Sequence, residues 1–139
     1  IGIEHKVDIL LAPNEILQEK MRPIKPHAIV VDEAQFLTSD QVEELYIITK
    51  KYDIPVLCYG LRCDFQMKGF EGSTRLLQLA DDIEELKTIC QCGAKATQNL
   101  RWVNRQPVFD GEQVVIDDHT QVEYTGVCGK CYLKIRRKI

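Results

Sequence analysis

Two groups of residues in this chain have the types and spacing to do chemistry. The first is the adjacent pair Asp32-Glu33, which ends the apolar run Ala28-Ile29-Val30-Val31. A parallel sheet opens its C-terminal edge to ligands where such a run stops. Asp32 has the form of a Walker B aspartate, which holds Mg²⁺ bound to a nucleoside triphosphate. Glu33, pointing to the other side of the chain, is placed to reach a second substrate. The plainer reading is a strand running into the acidic first turn of a helix, since short motifs recur by chance. The second group is Cys90-Gln91-Cys92-Gly93 with Cys128-Gly129-Lys130-Cys131. Two turns that supply two thiolates each suit tetrahedral Zn²⁺ at about 2.3 Å, and metal binding then becomes folding energy for a small β segment. The first spacing, C-x-C, is tighter than the usual C-x-x-C, and free thiols are the alternative. With all four positions taken by protein, such a zinc is structural. Cys58 and Cys63 lack partner spacing, and Cys58 reads as a small buried hydrophobe within a strand.

The elements that must position these groups can be read from the pattern. Ala28–Val31 reads as a strand buried on both faces of a parallel sheet. Before it, residues 13–19 can form a short helix, and Pro23 and Pro26 break the chain. After it, Thr38-Ser39-Asp40-Gln41 resembles a capping box. Val42, Leu45, Tyr46 and Thr49 follow at helical spacing, and Lys50-Lys51 suit the helix C-terminus. Residues 55–59 form a second short apolar run closed by Gly60, so a β-α-β unit is expected. Residues 60–72 mix aromatics and charges without a period, as either a surface connection or a substrate pocket. Residues 73–80 read as a short helix and 83–89 as another strand. The composition then shifts to short strands and turns, with a domain boundary expected near residue 88. The fold class read from this pattern is α/β with a small zinc-ribbon-like β domain at its end.

Composition narrows the classes. The chain has 139 residues, 45% of them hydrophobic, enough for one medium domain or one domain with a small appendage. A formal net charge of −3 gives no support for a nucleic-acid binder. The basic run Lys134, Arg136, Arg137, Lys138 reads as solvated. No apolar run reaches the roughly 18 residues of a membrane span. The six cysteines suggest metal in an intracellular protein, with secretion and disulfides as the alternative. The start, Ile1-Gly2-Ile3-Glu4-His5, has no methionine and no signal-peptide layout, and reads as the middle of a chain. His5, His27 and His119 read as surface or loop histidines and Trp102 as packing.

Residues 31–36 (Val-Asp-Glu-Ala-Gln-Phe), 59–65 (Tyr-Gly-Leu-Arg-Cys-Asp-Phe) and 86–93 (Leu-Lys-Thr-Ile-Cys-Gln-Cys-Gly), with Glu112–Ile116 and Val127–Tyr132, resemble the cellular-type (type II) thymidine kinases. The likeness runs from residue 28 to 134 and looks closest to the enteric-bacterial branch. It implies a P-loop NTPase-like parallel sheet over residues 1–88 and a zinc-binding lasso domain over 89–139. It also implies transfer of the γ-phosphoryl of ATP to the 5′-hydroxyl of thymidine. Position by position, Asp32 resembles the aspartate that binds Mg²⁺ through water and Glu33 the general base. Phe36, Leu61, Phe65 and Phe70 match the apolar pocket around thymine. The stretch from Gln113 to Tyr124 is similar to the lasso that wraps the base largely through main-chain groups, with Val115 and Ile116 in it. Tyr124 matches the family's tyrosine that helps hold the nucleoside. Cys90, Cys92, Cys128 and Cys131 match the structural zinc ligands that anchor the two ends of the lasso. The resemblance further implies a cytoplasmic homotetramer inhibited by thymidine triphosphate.

Three departures stand out. The loop Asp117-Asp118-His119-Thr120-Gln121-Val122-Glu123 is longer and more acidic than the family's usual glycine-containing turn. The C-x-C replaces the commoner C-x-x-C, as enteric-type members also have it. No G-x-x-x-x-G-K-[ST] loop occurs; Gly69-Phe70-Glu71-Gly72-Ser73-Thr74 lacks the lysine and the spacing. The family carries that loop ahead of the segment where this chain begins. The expectation is a piece of a longer kinase that does not bind ATP productively by itself. The rivals are a non-catalytic zinc-ribbon binding module on a P-loop ATPase remnant, a kinase for another deoxynucleoside, and a paralogue that has lost catalysis. A basic strip would favour the module, and Lys95, Arg101 and Arg105 are the cations between the cysteine pairs. A methyl group is worth only about 1–3 kcal/mol of discrimination between nucleosides.

Overall fold

β1 (Ile29–Val31) consists of three β-branched residues and pairs in parallel with β2 (Val56–Cys58), in the register Ile29 to Val56, Val30 to Leu57 and Val31 to Cys58. A parallel pair needs a crossover, and α2 (Ser39–Tyr52) supplies it. Thr38 starts α2 with the expected capping box: its hydroxyl accepts from the Gln41 N–H at 3.2 Å, and the Gln41 side chain accepts from the Thr38 N–H at 3.1 Å. α1 (Leu17–Met21) precedes β1, and a single 3-10 turn (Ala34–Phe36) follows it. α3 (Glu71–Leu79) packs on that turn and on α2. Leu17, Ala34, Leu37, Val42, Leu45 and Ile48 form the core of this part, with Ile29, Val31, Val56 and Cys58 packed against it. Burial pushes the Cys58 thiol up to about 11, as suits a small core hydrophobe.

The computed structural model describes residues 6–113 and 121–137. They divide into two units, Ile1–Leu61 with Glu71–Asp81, and Arg62–Phe70 with Asp82–Ile139. This differs from one cut near residue 88: residues 62–70 and 82–88 join the second unit, because 62–70 is hydrogen-bonded to the later strands. The buried stripe of α2 is Gln41, Val42, Leu45 and Ile48, whereas Tyr46 is exposed. A strand buried on both faces is not what forms either. Val30 is 67% exposed and its neighbour Leu57 46%, because among the described residues the core covers only the Ile29–Val31 face. The strand expected over 83–89 shrinks to β3 (Thr88–Ile89), since Ile83 and Leu86 are exposed and have no partner strand among the described residues.

The second unit is antiparallel. β3 pairs with β4 (Lys95–Ala96) across the first cysteine turn. β5 (Gln98–Val103) lies between β6 (Gln106–Val108) and β7 (Val122–Val127). α4 (Gly129–Arg136) follows and buries Tyr132 with Leu100, Val127, Cys90 and Cys128. No described helix is long and apolar enough to cross a membrane.

Gly72 is a test of the packing between α3 and the 3-10 turn. A Cβ there would lie 2.6 Å from the Leu37 carbonyl oxygen and 2.7 Å from that of Ala34. Both obstacles are backbone and cannot rotate away. Gly72→Ala is therefore expected to lower stability by about 1–3 kcal/mol, seen as an earlier midpoint in denaturant. Gly129→Ala, whose Cβ meets nothing within 4 Å, should stay within about 0.5 kcal/mol of the parent.

Candidate functional site

The carboxylate pair sits where the β1 ladder runs out. Tyr59 N–H donates to the Val31 carbonyl at 2.8 Å and Ala34 N–H to the Tyr59 carbonyl at 2.8 Å, so Asp32 and Glu33 bulge between two ladder bonds. Both are exposed. The Asp32 carboxylate accepts from the Glu33 N–H at 2.9 Å. Glu33 itself is left-handed, at φ 52° and ψ 37°, a conformation that costs a residue with a Cβ about 1–2 kcal/mol. An exposed carboxylate pair on a strained turn at a parallel-strand end can hold a hydrated cation and accept a proton. Phe36 and Leu61, also in the first unit, are partly exposed. Gln35 was not singled out by the sequence. It is buried and donates its amide N–H to the Glu33 carboxylate.

The four cysteines converge. The β3–β4 turn is closed by Cys90 N–H to the Ala94 carbonyl and Gly93 N–H to the Cys90 carbonyl, each at 2.8 Å. Gly93 there adopts φ +85°, which glycine permits without a Cβ clash. Cys128 caps α4, its sulfur accepting from the Cys131 N–H at 3.4 Å. The sulfurs of Cys90, Cys92, Cys128 and Cys131 all lie within 4.8 Å of one another, and those of Cys92 and Cys128 are 3.6 Å apart. Tetrahedral bonds of about 2.3 Å require sulfurs about 3.8 Å apart, so the set fits a soft divalent ion such as zinc. Backbone N–H groups of Cys92 and Cys128 hold the Cys90 thiol down to about 6, and the Cys131 N–H lowers Cys128. Contact with the sulfur of Cys92, then those of Cys128 and Cys90, pushes the Cys131 thiol up to about 12. Close thiols thus hold their protons unequally, and a metal that replaces those protons removes the inequality.

A third constellation belongs to the second unit and centres on Arg101, which is 2% exposed. Its guanidinium lies 3.7 Å from the centre of the Phe65 ring. Its Nε donates to the Tyr124 hydroxyl at 2.9 Å, and its two terminal nitrogens donate to the carbonyls of Glu112 and Gln113 at 2.7 and 2.8 Å. Gln113 in turn donates its side-chain amide to the Asp64 carboxylate at 2.9 Å. The other Asp64 oxygen accepts from the N–H groups of Gln66 and Lys68, the Asx-turn that shapes residues 64–68. The Tyr132 hydroxyl donates to the Phe65 carbonyl at 2.6 Å. Of the residues singled out by sequence in this unit, Phe65 and Phe70 are buried and Tyr124 is exposed. Val115 and Ile116 lie outside the described residues. In the sequence Arg101 stands only as one of three cations between the cysteine pairs. The available signal was a lone charge in the apolar run Leu100-Arg101-Trp102-Val103.

Comparison with known proteins gives consistent matches. Residues 6–132 match the family model described as thymidine kinase. The thymidine kinase of Mannheimia succiniciproducens is 46% identical over 92% of this chain and 67% of its own length. That of Streptococcus gordonii is 48% identical over 83% of this chain and 60% of its own. That of Chromobacterium violaceum is 46% identical over 75% of this chain and 56% of its own. The chain therefore spans about three-fifths of the length of the curated relatives it matches.

Replacing Arg101 tests the third constellation. Arg101→Met keeps the apolar stem but leaves the Glu112 and Gln113 carbonyls and the Tyr124 hydroxyl without their donor. Each such hydrogen bond from a charged donor is worth about 1.5–3 kcal/mol. A loss of at least about 2 kcal/mol in equilibrium unfolding is expected, and Arg101→Lys, which cannot fork to two carbonyls, should recover only part of it.

Proposed function

The chain belongs to the thymidine kinase family, and from that premise we propose that the complete protein transfers the γ-phosphoryl of ATP to the 5′-hydroxyl of thymidine, giving thymidine monophosphate. The observation that carries this reading is the match over residues 6–132 combined with an exposed Asp32-Glu33 pair at the end of a parallel strand. Phosphoryl transfer asks little covalent help of the protein, so positioning and charge neutralisation dominate. Asp32 would hold Mg²⁺ through water, and that ion would neutralise the phosphate charge. Glu33 takes the proton of the 5′-hydroxyl as the new O–P bond forms and the bond from the γ-phosphorus to the departing ADP oxygen breaks, and its exposed carboxylate has the access this requires. The apolar and aromatic side chains that the family resemblance singles out are proposed for thymine recognition. Phe36, Leu61 and Tyr124 offer exposed surface, while Phe65 and Phe70 support from within the fold. Gln113, whose carbonyl and amide are both engaged, belongs to the main-chain recognition segment.

The cysteine cluster is proposed as a structural zinc site: four thiolates complete the coordination and leave no position for a substrate. The γ-phosphate cradle of this family is a sequence motif absent from residues 1–139, and ATP binding is assigned to the complete protein, together with a P-loop NTPase-like sheet, a homotetramer and a cytoplasmic setting. A non-catalytic zinc-ribbon module gains nothing from the structure. Of its three supporting cations, Arg101 is buried and Lys95 is paired with Glu85.

The assay is ATP-dependent phosphorylation of thymidine by the complete protein. Glu33→Gln should lower turnover by at least about 100-fold, as loss of a general base does, with deoxycytidine a poor competitor. Thymidine turnover unchanged in Glu33→Gln would move the base elsewhere; no turnover on any nucleoside would remove the kinase reading. Zinc is checked separately. Cys128→Ser should bring bound zinc well below one per chain and lower the unfolding midpoint, an effect that chelators reproduce on the parent protein.

A further inference from the structure

We propose that Gln35 is a positioning residue for the carboxylate of Glu33, acting with Gly60 and Ser73 to lock that carboxylate to the backbone of Leu61. The inference rests on the reading of Glu33 as the base. Gln35 is only 3% exposed, yet its side chain is not spent on core packing. Its amide nitrogen donates to a Glu33 carboxylate oxygen. Its amide oxygen accepts from the Leu61 N–H at 3.1 Å. The two partners fix the orientation of the amide, because a flip would set oxygen against carboxylate and N–H against N–H. No other uncharged side chain of that length offers a donor and an acceptor on one rigid plane.

The surroundings are built for this bridge. A Cβ on Gly60 would lie 2.7 Å from the Gln35 amide oxygen and 3.0 Å from the Gln35 backbone nitrogen, so glycine is what lets the amide reach Leu61. On the far side of Leu61, the Ser73 hydroxyl donates to the Leu61 carbonyl at 2.5 Å, and Ser73 is itself buried. Leu61 is thus held at both its N–H and its C=O. A glutamate side chain on an exposed turn otherwise spreads over several rotamers. One buried donor, referenced to a backbone held on both sides, selects one of them. The consequence is a carboxylate held in place before substrate arrives, which matters because a misplacement of about 1 Å can cost about 100-fold in rate.

The test is a double-mutant cycle in the complete protein. Gln35→Met keeps an unbranched side chain of similar length and removes both hydrogen bonds. It is expected to lower kcat for thymidine by about 10- to 100-fold, with KM for ATP unchanged. In the Glu33→Gln background the same substitution should cost less than about 2-fold, since a residue that acts through Glu33 has nothing left to position. Gln35→Asn, which keeps a polar amide but is one methylene too short to bridge Glu33 and Leu61, should reproduce both results and covers the case in which Gln35→Met does not fold. Full kcat in Gln35→Met or in Gln35→Asn overturns the proposal. So do costs that multiply independently with that of Glu33→Gln, which is the mark of a purely structural role. If Glu33→Gln itself costs nothing while the parent enzyme is active, the base assignment fails first and this inference falls with it. A costly Glu33→Gln beside a harmless Gln35→Met removes this inference alone.

Discussion

Parallel pairing of β1 with β2 is the constraint on which the first unit depends. Parallel strands cannot be joined by a tight hairpin, so the chain must leave the sheet, cross over and return. α2 makes that crossing, and its buried stripe lands on the same face of the sheet as Ile29 and Val31. The crossing also decides where the carboxylates go. Both strands run toward the same edge, so the segments after Val31 and Cys58 emerge side by side, and the Ala34–Tyr59 hydrogen bond ties them together. Asp32 and Glu33 fall in the gap between the last two ladder bonds and face solvent, where ionised carboxylates keep their hydration.

In the second unit the comparable constraint is a buried cation. Removing a guanidinium from water costs several kcal/mol, and none of the described carboxylates forms an ion pair with Arg101. The offset comes from other sources: hydrogen bonds in which the donor is charged, worth about 1.5–3 kcal/mol each, and the Phe65 ring, about 2 kcal/mol when desolvated. Three bonds and a ring together are of the same order as that cost. They gather the backbone of Glu112 and Gln113 and the phenol of Tyr124 around one guanidinium. Lysine has the charge but not the planar fork that engages two carbonyls at once.

What could be read beforehand follows from the range of the interactions concerned. The Thr38–Gln41 capping box is local, formed by residues three apart, and it was legible to the atom. The cysteine pairs were legible because turn spacing and thiolate chemistry together leave few uses. The exposure of Val30 was not legible, because residue type reports that a side chain is fit for burial and not that a cover exists. The strand read over 83–89 failed for a related reason: Ile83 and Leu86 have the right propensity but no partner within hydrogen-bonding reach among the described residues. Gln35 and Arg101 were invisible for the opposite reason. Their meaning lies in partners far along the chain, Leu61 for the first and Phe65, Glu112, Gln113 and Tyr124 for the second, and a polar residue next to two carboxylates or within a strand has no periodicity to betray it. The grouping of residues 62–70 with the second unit was hidden likewise, since the bonds from Asn99 to the Cys63 carbonyl and from Tyr132 to the Phe65 carbonyl are long-range.

The 3-10 turn after Glu33 carries a further constraint of the first unit. A left-handed non-glycine residue persists only where its surroundings leave no easier conformation, and this turn is enclosed on both sides by glycines that admit no side chain. Gly60 lies against the Gln35 amide and the Ala34 nitrogen; Gly72 lies against the carbonyls of Ala34, Gln35 and Leu37. The backbone of residues 34–37 thus has neighbours in contact above and below it, with Gln35 bonded outward to Leu61 in between. A turn that merely reversed the chain would need none of this, because an ordinary loop residue relaxes its strain by shifting a few tenths of an ångström into solvent. Here that shift is blocked by backbone on both faces. Backbone packed on both faces of residues 34–37 thus leaves the turn after Glu33 little room to relax, and the carboxylate is presented from that enclosed turn.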